Sequence, residues 1–103
     1  MIKFLVKGQN IETLEHEVIA ADQIAFVKIH FVFDNSWKPL HKVVQFTQGA
    51  FTYNRLIGYD GTSCLLPSEI TPGSVKMSIF GYDTASKETV RATTVIKSLN
   101  VRP

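Results

Sequence analysis

Three histidines, a single cysteine and eleven aromatic residues carry whatever chemistry this 103-residue chain can perform. A histidine that serves a metal or a proton relay needs partners at a spacing that aims several donors at one point, as in His-x-His or His-Glu-x-x-His. His16, His30 and His41 stand in neither pattern. His16 lies between Glu15 and Glu17, but consecutive residues on an extended chain point to opposite faces. The triplet therefore reads as a solvated charge cluster, with a metal site as the alternative. Ser63-Cys64 offers a nucleophile, yet a reactive thiolate needs an electropositive, partly exposed niche, and Cys64 is followed by Leu65, Leu66 and Pro67. A small buried hydrophobe is the better reading. The sequence holds no Gly-x-Ser-x-Gly elbow, no Gly-rich phosphate loop and no paired-carboxylate motif. The expectation is a non-enzymatic chain with no cofactor and no metal.

The aromatic residues offer a different chemistry, stacking on sugar rings. Trp37 follows the turn Asp34-Asn35-Ser36 and precedes Lys38-Pro39-Leu40, which puts it in a loop or corner. A lone Trp there reads as a plug of the core, with a stacking platform as the alternative. Tyr59 and Tyr82 sit beside Asp60 and Asp83 near predicted turns. They form the more credible exposed pair, and with Trp37 they outline a candidate glycan or docking surface.

The elements that must position these residues are strands. Ten Val, nine Ile and nine Thr suit a pleated, half-buried surface. Turn signals recur at Gly8-Gln9-Asn10, Ala21-Asp22-Gln23, Asp34-Asn35-Ser36, Gln48-Gly49, Asp60-Gly61, Pro67-Ser68, Thr71-Pro72-Gly73 and Asp83-Thr84-Ala85-Ser86. The intervals between them are mostly too short for ordinary helices. Alternation predicts a strand over Ile24 to Phe33, with Val27, Ile29, Phe31 and Phe33 on one face and Lys28 and His30 on the other. Phe26 and Val32 break the polarity of that outer face, so Phe26, His30 and Val32 mark a candidate interface covered in part by a neighbour. Lys42 to Thr47 and Phe51 to Ile57 read as a hairpin about Gly49, and Thr62 to Leu66 as a strand completing a meander. Val75 to Phe80 alternates again. In Glu88 to Val101 the apolar parity switches, which a bulge or a change of environment near Thr94 would reconcile. Ile11, Leu14 and Val18 recur at helical spacing, but the segment is short and reads as two short strands, with a helical turn left open. The expected fold is a single domain over residues 1–103, an antiparallel β-sandwich of seven to nine short strands.

Charge and targeting narrow the classes further. A net charge of +2, dispersed along the chain, is no footprint for nucleic acid. The apolar start Met1 to Gly8 is short and broken by Lys3 and Lys7, unlike a signal peptide. No window approaches the 18 or so apolar residues of a membrane span, so no membrane insertion is expected. One cysteine excludes an internal disulfide and fits synthesis in a reducing cytoplasm.

Phe31-Val32-Phe33-Asp34-Asn35-Ser36-Trp37-Lys38-Pro39-Leu40, followed by Lys42 and a strand ending at Phe46, resembles a module of tail and baseplate proteins of phages that infect Gram-positive bacteria. Its signature runs Phe-x-Phe-(Asp or Ser)-x-x-Trp-x-x-Leu. The likeness extends through Val18 to Asp22 upstream and, downstream, Ser63 to Ile70, Gly73 to Gly81 and Arg91 to Thr94. The resemblance implies a β-sandwich in the adsorption apparatus of a virion, joined to other tail proteins and to copies of itself as a homo-oligomer. Contact with host surface carbohydrate is the alternative function. Trp37, Pro67 and Gly81 occupy signature positions and are expected to be structural: a corner plug, a strand terminator, and a residue granting a turn conformation closed to others.

Overall fold

The computed structural model describes residues 2–58, 61–83, 89–92 and 97–102. The chain opens with a hairpin, β1 (Ile2–Lys7) and β2 (Asn10–Glu15), turned at Gly8, whose φ of 58° is the left-handed conformation that glycine reaches at least cost. A two-residue β3 (Ile19–Ala20) and a 3-10 turn over Ala21–Phe26 lead into β4 (Lys28–Phe33). Then follow β5 (His41–Gln48), β6 (Phe51–Gly58), β7 (Ser63–Leu65), β8 (Gly73–Tyr82), β9 (Thr89–Ala92) and β10 (Lys97–Arg102). The segment from Ile11 to Val18, where a helical turn was left open, is strand through Glu15 and not helix.

Two sheets face each other, as the composition led one to expect of a sandwich. The first has the order β2-β1-β4-β7; the second runs β3-β10-β8-β5-β6, with β9 also on β8. Strict alternation builds the core between them. Ile2, Phe4 and Val6 of β1 lie in register beside Ile29, Phe31 and Phe33 of β4, and all six are buried. From the other sheet come Val44 and Phe46 of β5, Val75, Met77 and Ile79 of β8, and Leu99 and Val101 of β10. Lys42 shares the inner face of β5 and is itself buried, with its Nζ 5.0 Å from the centroid of the Phe33 ring. An ammonium over an aromatic face recovers part of its lost hydration.

Several sequence expectations change. Ten strands are described rather than seven to nine, because the final segment forms two strands and Ile19–Ala20 adds a short one. Most pairings are antiparallel, but β1–β4 and β3–β10 are parallel. The strand expected to begin at Ile24 begins at Lys28, since the preceding residues turn to carry the chain between sheets. Thr62 to Leu66 does not extend the β5–β6 hairpin as a meander: β7 crosses to the first sheet and pairs with β4, Cys64 opposite Ile29. The ladder stops there, with Leu66 N–H donating to Val27 O at 2.9 Å and the buried Pro67 following. Thr94, where a bulge or a change of environment was expected, lies outside the described residues.

Candidate functional site

β4 leaves the first sheet and β5 enters the second, and the chain makes this crossing through Asp34 to Leu40. Two successive turns tighten it: Trp37 N–H donates to Asp34 O at 3.2 Å, and Leu40 N–H to Trp37 O at 3.0 Å. The Asp34 carboxylate organises the first turn by accepting from the backbone N–H groups of Ser36 (3.0 Å) and Trp37 (3.2 Å) and from the Ser36 hydroxyl. Its other oxygen accepts from Gly8 N–H at 2.7 Å. Trp37 returns the contact, its indole Nε1–H donating to Gly8 O at 2.7 Å. The corner is thereby latched to the β1–β2 turn from both directions. The Ser36 hydroxyl, and then the three backbone donors, hold the Asp34 carboxyl below its ordinary pKa against the opposing effect of burial.

Trp37 is fully buried, which settles its role as a core plug and removes it from the candidate glycan surface. It ends an aromatic row, Phe4 to Phe31 to Phe33 to Trp37, with centroids spaced 6.2, 5.8 and 5.9 Å. Gly81 corrects another expectation. It lies within β8 and has no left-handed φ; the positive-φ glycines described are Gly8, Gly49 and Gly73. Its lack of a side chain makes room for the plug, since a Cβ there would meet Leu40 Cδ1 at 2.7 Å and Trp37 Cζ3 at 3.0 Å. The Asp-x-x-Trp-x-x-Leu segment and the distant glycine are one packing unit.

The remaining site residues separate. Tyr82 is half-buried on the outer face of the second sheet, stacked on His41 at 5.5 Å. Tyr59 lies outside the described residues, so the expected Tyr59–Tyr82 pair is represented by Tyr82 alone. His16 lies between β2 and β3, His30 on β4 and His41 on β5, and the described residues contain no cluster of three metal-ligating side chains. Cys64 is half-buried against the core, and burial pushes its thiol up to about 12 despite the nearby charge of Arg55. Such a thiol stays protonated and unreactive.

At the opposite end of β4 the candidate interface takes shape. Phe26 closes the 3-10 turn with 82% of its surface exposed, and Val18 beside it is 59% exposed. With Ile2 and Val27 they line an open groove of about 460 Å³. Glu17, Lys28 and His30 complete its wall. The parallel pairing of β1 with β4 brings Ile2 beside the start of β4, while Val18 and Phe26 reach the groove from outside those strands, before β3 and in the 3-10 turn. Two of the three expected interface residues, Phe26 and His30, therefore meet. Val32 lies two residues further along the same outer face, beside Leu5, and is 40% exposed. The cover expected over Phe26 and Val32 is missing from the described residues, because the outer face of the first sheet carries no further layer there. Val18 and Ile2 were not foreseen: the β1–β4 pairing brings Ile2 to this end of β4, and β3 with the 3-10 turn brings Phe26 back to Val18. Compared with models of protein families, with curated proteins and with solved structures, the chain matches none.

Proposed function

We propose that this protein is a non-enzymatic structural component of a phage tail tip or baseplate, acting through protein–protein contacts. The observation that carries the reading is the groove at Phe26. A large aromatic left 82% exposed beside Val18 is costly surface unless a partner removes it from water. The paired strands β1 and β4 supply Ile2, Lys28 and His30 to the wall of the groove, while Glu17 and Val18 come from the segment before β3 and Phe26 from the 3-10 turn. Its wall mixes an acid, Glu17, with the bases Lys28 and His30, as the polar rim of a protein interface does. The partner that fits is another tail protein presenting an apolar side chain to Phe26 and charges to the rim. The resemblance centred on Phe31 to Leu40 supports the tail assignment.

Immunogold electron microscopy of particles produced by the encoding strain tests the reading. Label at the tail tip is the expected result. Particles that lack the protein, or that carry it only on the head, overturn it.

A further inference from the structure

A sandwich must protect the strands at the edges of its sheets, because each displays a row of backbone donors and acceptors ready to pair with another chain. Most edges here are guarded. β2 carries Glu12 and Glu15, β7 is three residues long and is followed by the buried Pro67, and β3 has two residues. β9 has four residues, and β10 has Lys97 and Arg102 at its ends with β3 laid along Val101 and Arg102. β6 differs. It is eight residues long, pairs only with β5 among the described residues, and holds a single charge, Arg55. Phe51 and Leu56 on it are 66% and 68% exposed.

The direction of the backbone groups that β5 does not use follows from the hairpin. A two-residue turn, Gly49-Ala50, makes Gln48 and Phe51 a mutually hydrogen-bonded pair, and such pairs alternate along an antiparallel ladder. Phe51, Tyr53 and Arg55 therefore spend their backbone groups on β5, while Thr52, Asn54 and Leu56 aim theirs outward. An independent contact agrees: the Asn54 carbonyl accepts a hydrogen bond from the Arg55 guanidinium at 3.2 Å. The regular stretch ends after Leu56, where the register shifts.

We propose that β6 pairs antiparallel with β6 of a second copy about a two-fold axis through Asn54. Only this register satisfies all three outward residues at once. Asn54 faces Asn54 of the other copy and Thr52 faces Leu56, giving about six backbone hydrogen bonds. Between them, Tyr53 of one copy lies opposite Arg55 of the other; the Arg55 guanidinium, which in the single chain holds the Asn54 carbonyl and lies 3.9 Å from Glu69, gives up that carbonyl to the Asn54 N–H of the second copy and turns to Tyr53. The two exposed Asn54 amides meet on the outer face, each with N–H groups to donate and an Oδ1 that already accepts from Gln45 Nε2 at 3.3 Å. The second sheets of both copies thus become one continuous sheet, and a small module acquires a symmetric contact separate from the groove at Phe26. This deepens the assembly reading and takes its purpose from it, while its geometry stands on β6 alone.

Light scattering and cross-linking test the contact. The wild-type chain is expected to be a dimer that dissociates on dilution. Asn54→Lys, which sets two like charges against each other on the axis, should weaken association at least tenfold while leaving the circular dichroism unchanged. In a Cys64→Ser background, Asn54→Cys should form a disulfide between copies under mild oxidation, because a hydrogen-bonded pair holds its Cα atoms about 5.5 Å apart. Thr52→Cys in the same background should not, since its equivalent lies four residues, roughly 13 Å, along the strand. A monomer at every concentration, equal cross-linking of the two cysteine variants, or a dimer untouched by Asn54→Lys would each overturn the contact. Label at the tail tip with no self-association would overturn it and leave the tail reading standing. A dimer absent from the tail would do the reverse.

Discussion

The two ends of β4 carry two large aromatic residues with opposite fates. Trp37, beyond its C-terminal end, is wholly buried, and Phe26, before its N-terminal end, is 82% exposed. The difference lies in what surrounds each ring. Around Trp37 the chain has supplied a carboxylate that organises the turn, a carbonyl that accepts the indole N–H, and a glycine that makes room for the ring. The 3-10 turn ending at Phe26 has no side-chain hydrogen bond capping its start. One end of the strand is completed by the protein itself, whereas the other leaves its ring in solvent, as the proposed docking role requires. An aromatic residue is therefore assigned to structure or to contact by the polar groups and the space provided for it, not by its type.

The sharpest way to break this comparison is Trp37→Ala. Removing a fully buried indole, its hydrogen bond to Gly8 O and the end of the aromatic row should cost about 3–5 kcal/mol. Chemical denaturation measures it, and a loss below about 1 kcal/mol would show that the corner is not the plug. Gly81→Ala comes next. Its methyl group would enter the space held by Leu40 and Trp37, and overpacking of this kind costs about 1–3 kcal/mol. Leu40→Val in the same chain should recover part of the loss, because it trims the side chain that supplies the nearer of those contacts. Absence of any recovery would point to backbone conformation, the role first expected for Gly81.

Asp34 gives a smaller effect with a pH signature. Its carboxyl ionises below the ordinary value in the folded chain. The stability it contributes is thus complete above the ordinary carboxylate range and is lost as pH falls through the folded value. Asp34→Asn should cost about 1 kcal/mol at neutral pH, the scale of a hydrogen bond made weaker rather than deleted. The gap between variant and wild type should then narrow on acidification. A gap constant from neutral pH down to pH 2 would mean that the charge does not hold the latch.

Much of this arrangement could be read before the fold was seen, and the part that could not has a common cause. Alternation in β4, β5 and β8 identifies buried faces, because each strand writes its environment at a period of two. Trp37 declared itself through the turn residues before it. What alternation cannot state is which strand lies alongside. The parallel partner of β4 is β1, and the strand on its other side is β7, reached after a crossing from the second sheet. What depends on contacts between distant segments stayed hidden: Ile2 beside Phe26 in the groove, the stacking of Tyr82 on His41 through the pairing of β5 with β8, and the reason for Gly81 against Trp37 and Leu40. Lys42 illustrates the same limit. A lysine within an apolar run suggests an edge or a wet face, and only its position over Phe33 explains why it is buried.

Phe26→Ala has the smallest expected effect on stability and the greatest power to sharpen the contrast. A ring that already meets solvent over 82% of its surface loses little when removed, so the denaturation midpoint should move by less than about 0.5 kcal/mol. The same change should abolish incorporation into tail tips, because the groove loses the apolar surface that a partner would cover. The two measurements must be made on one variant. Stability unchanged with incorporation lost places Phe26 in contact, as the proposal requires. A loss approaching that of Trp37→Ala would show instead that Phe26 supports the fold, and the two ends of β4 would then differ in degree rather than in kind.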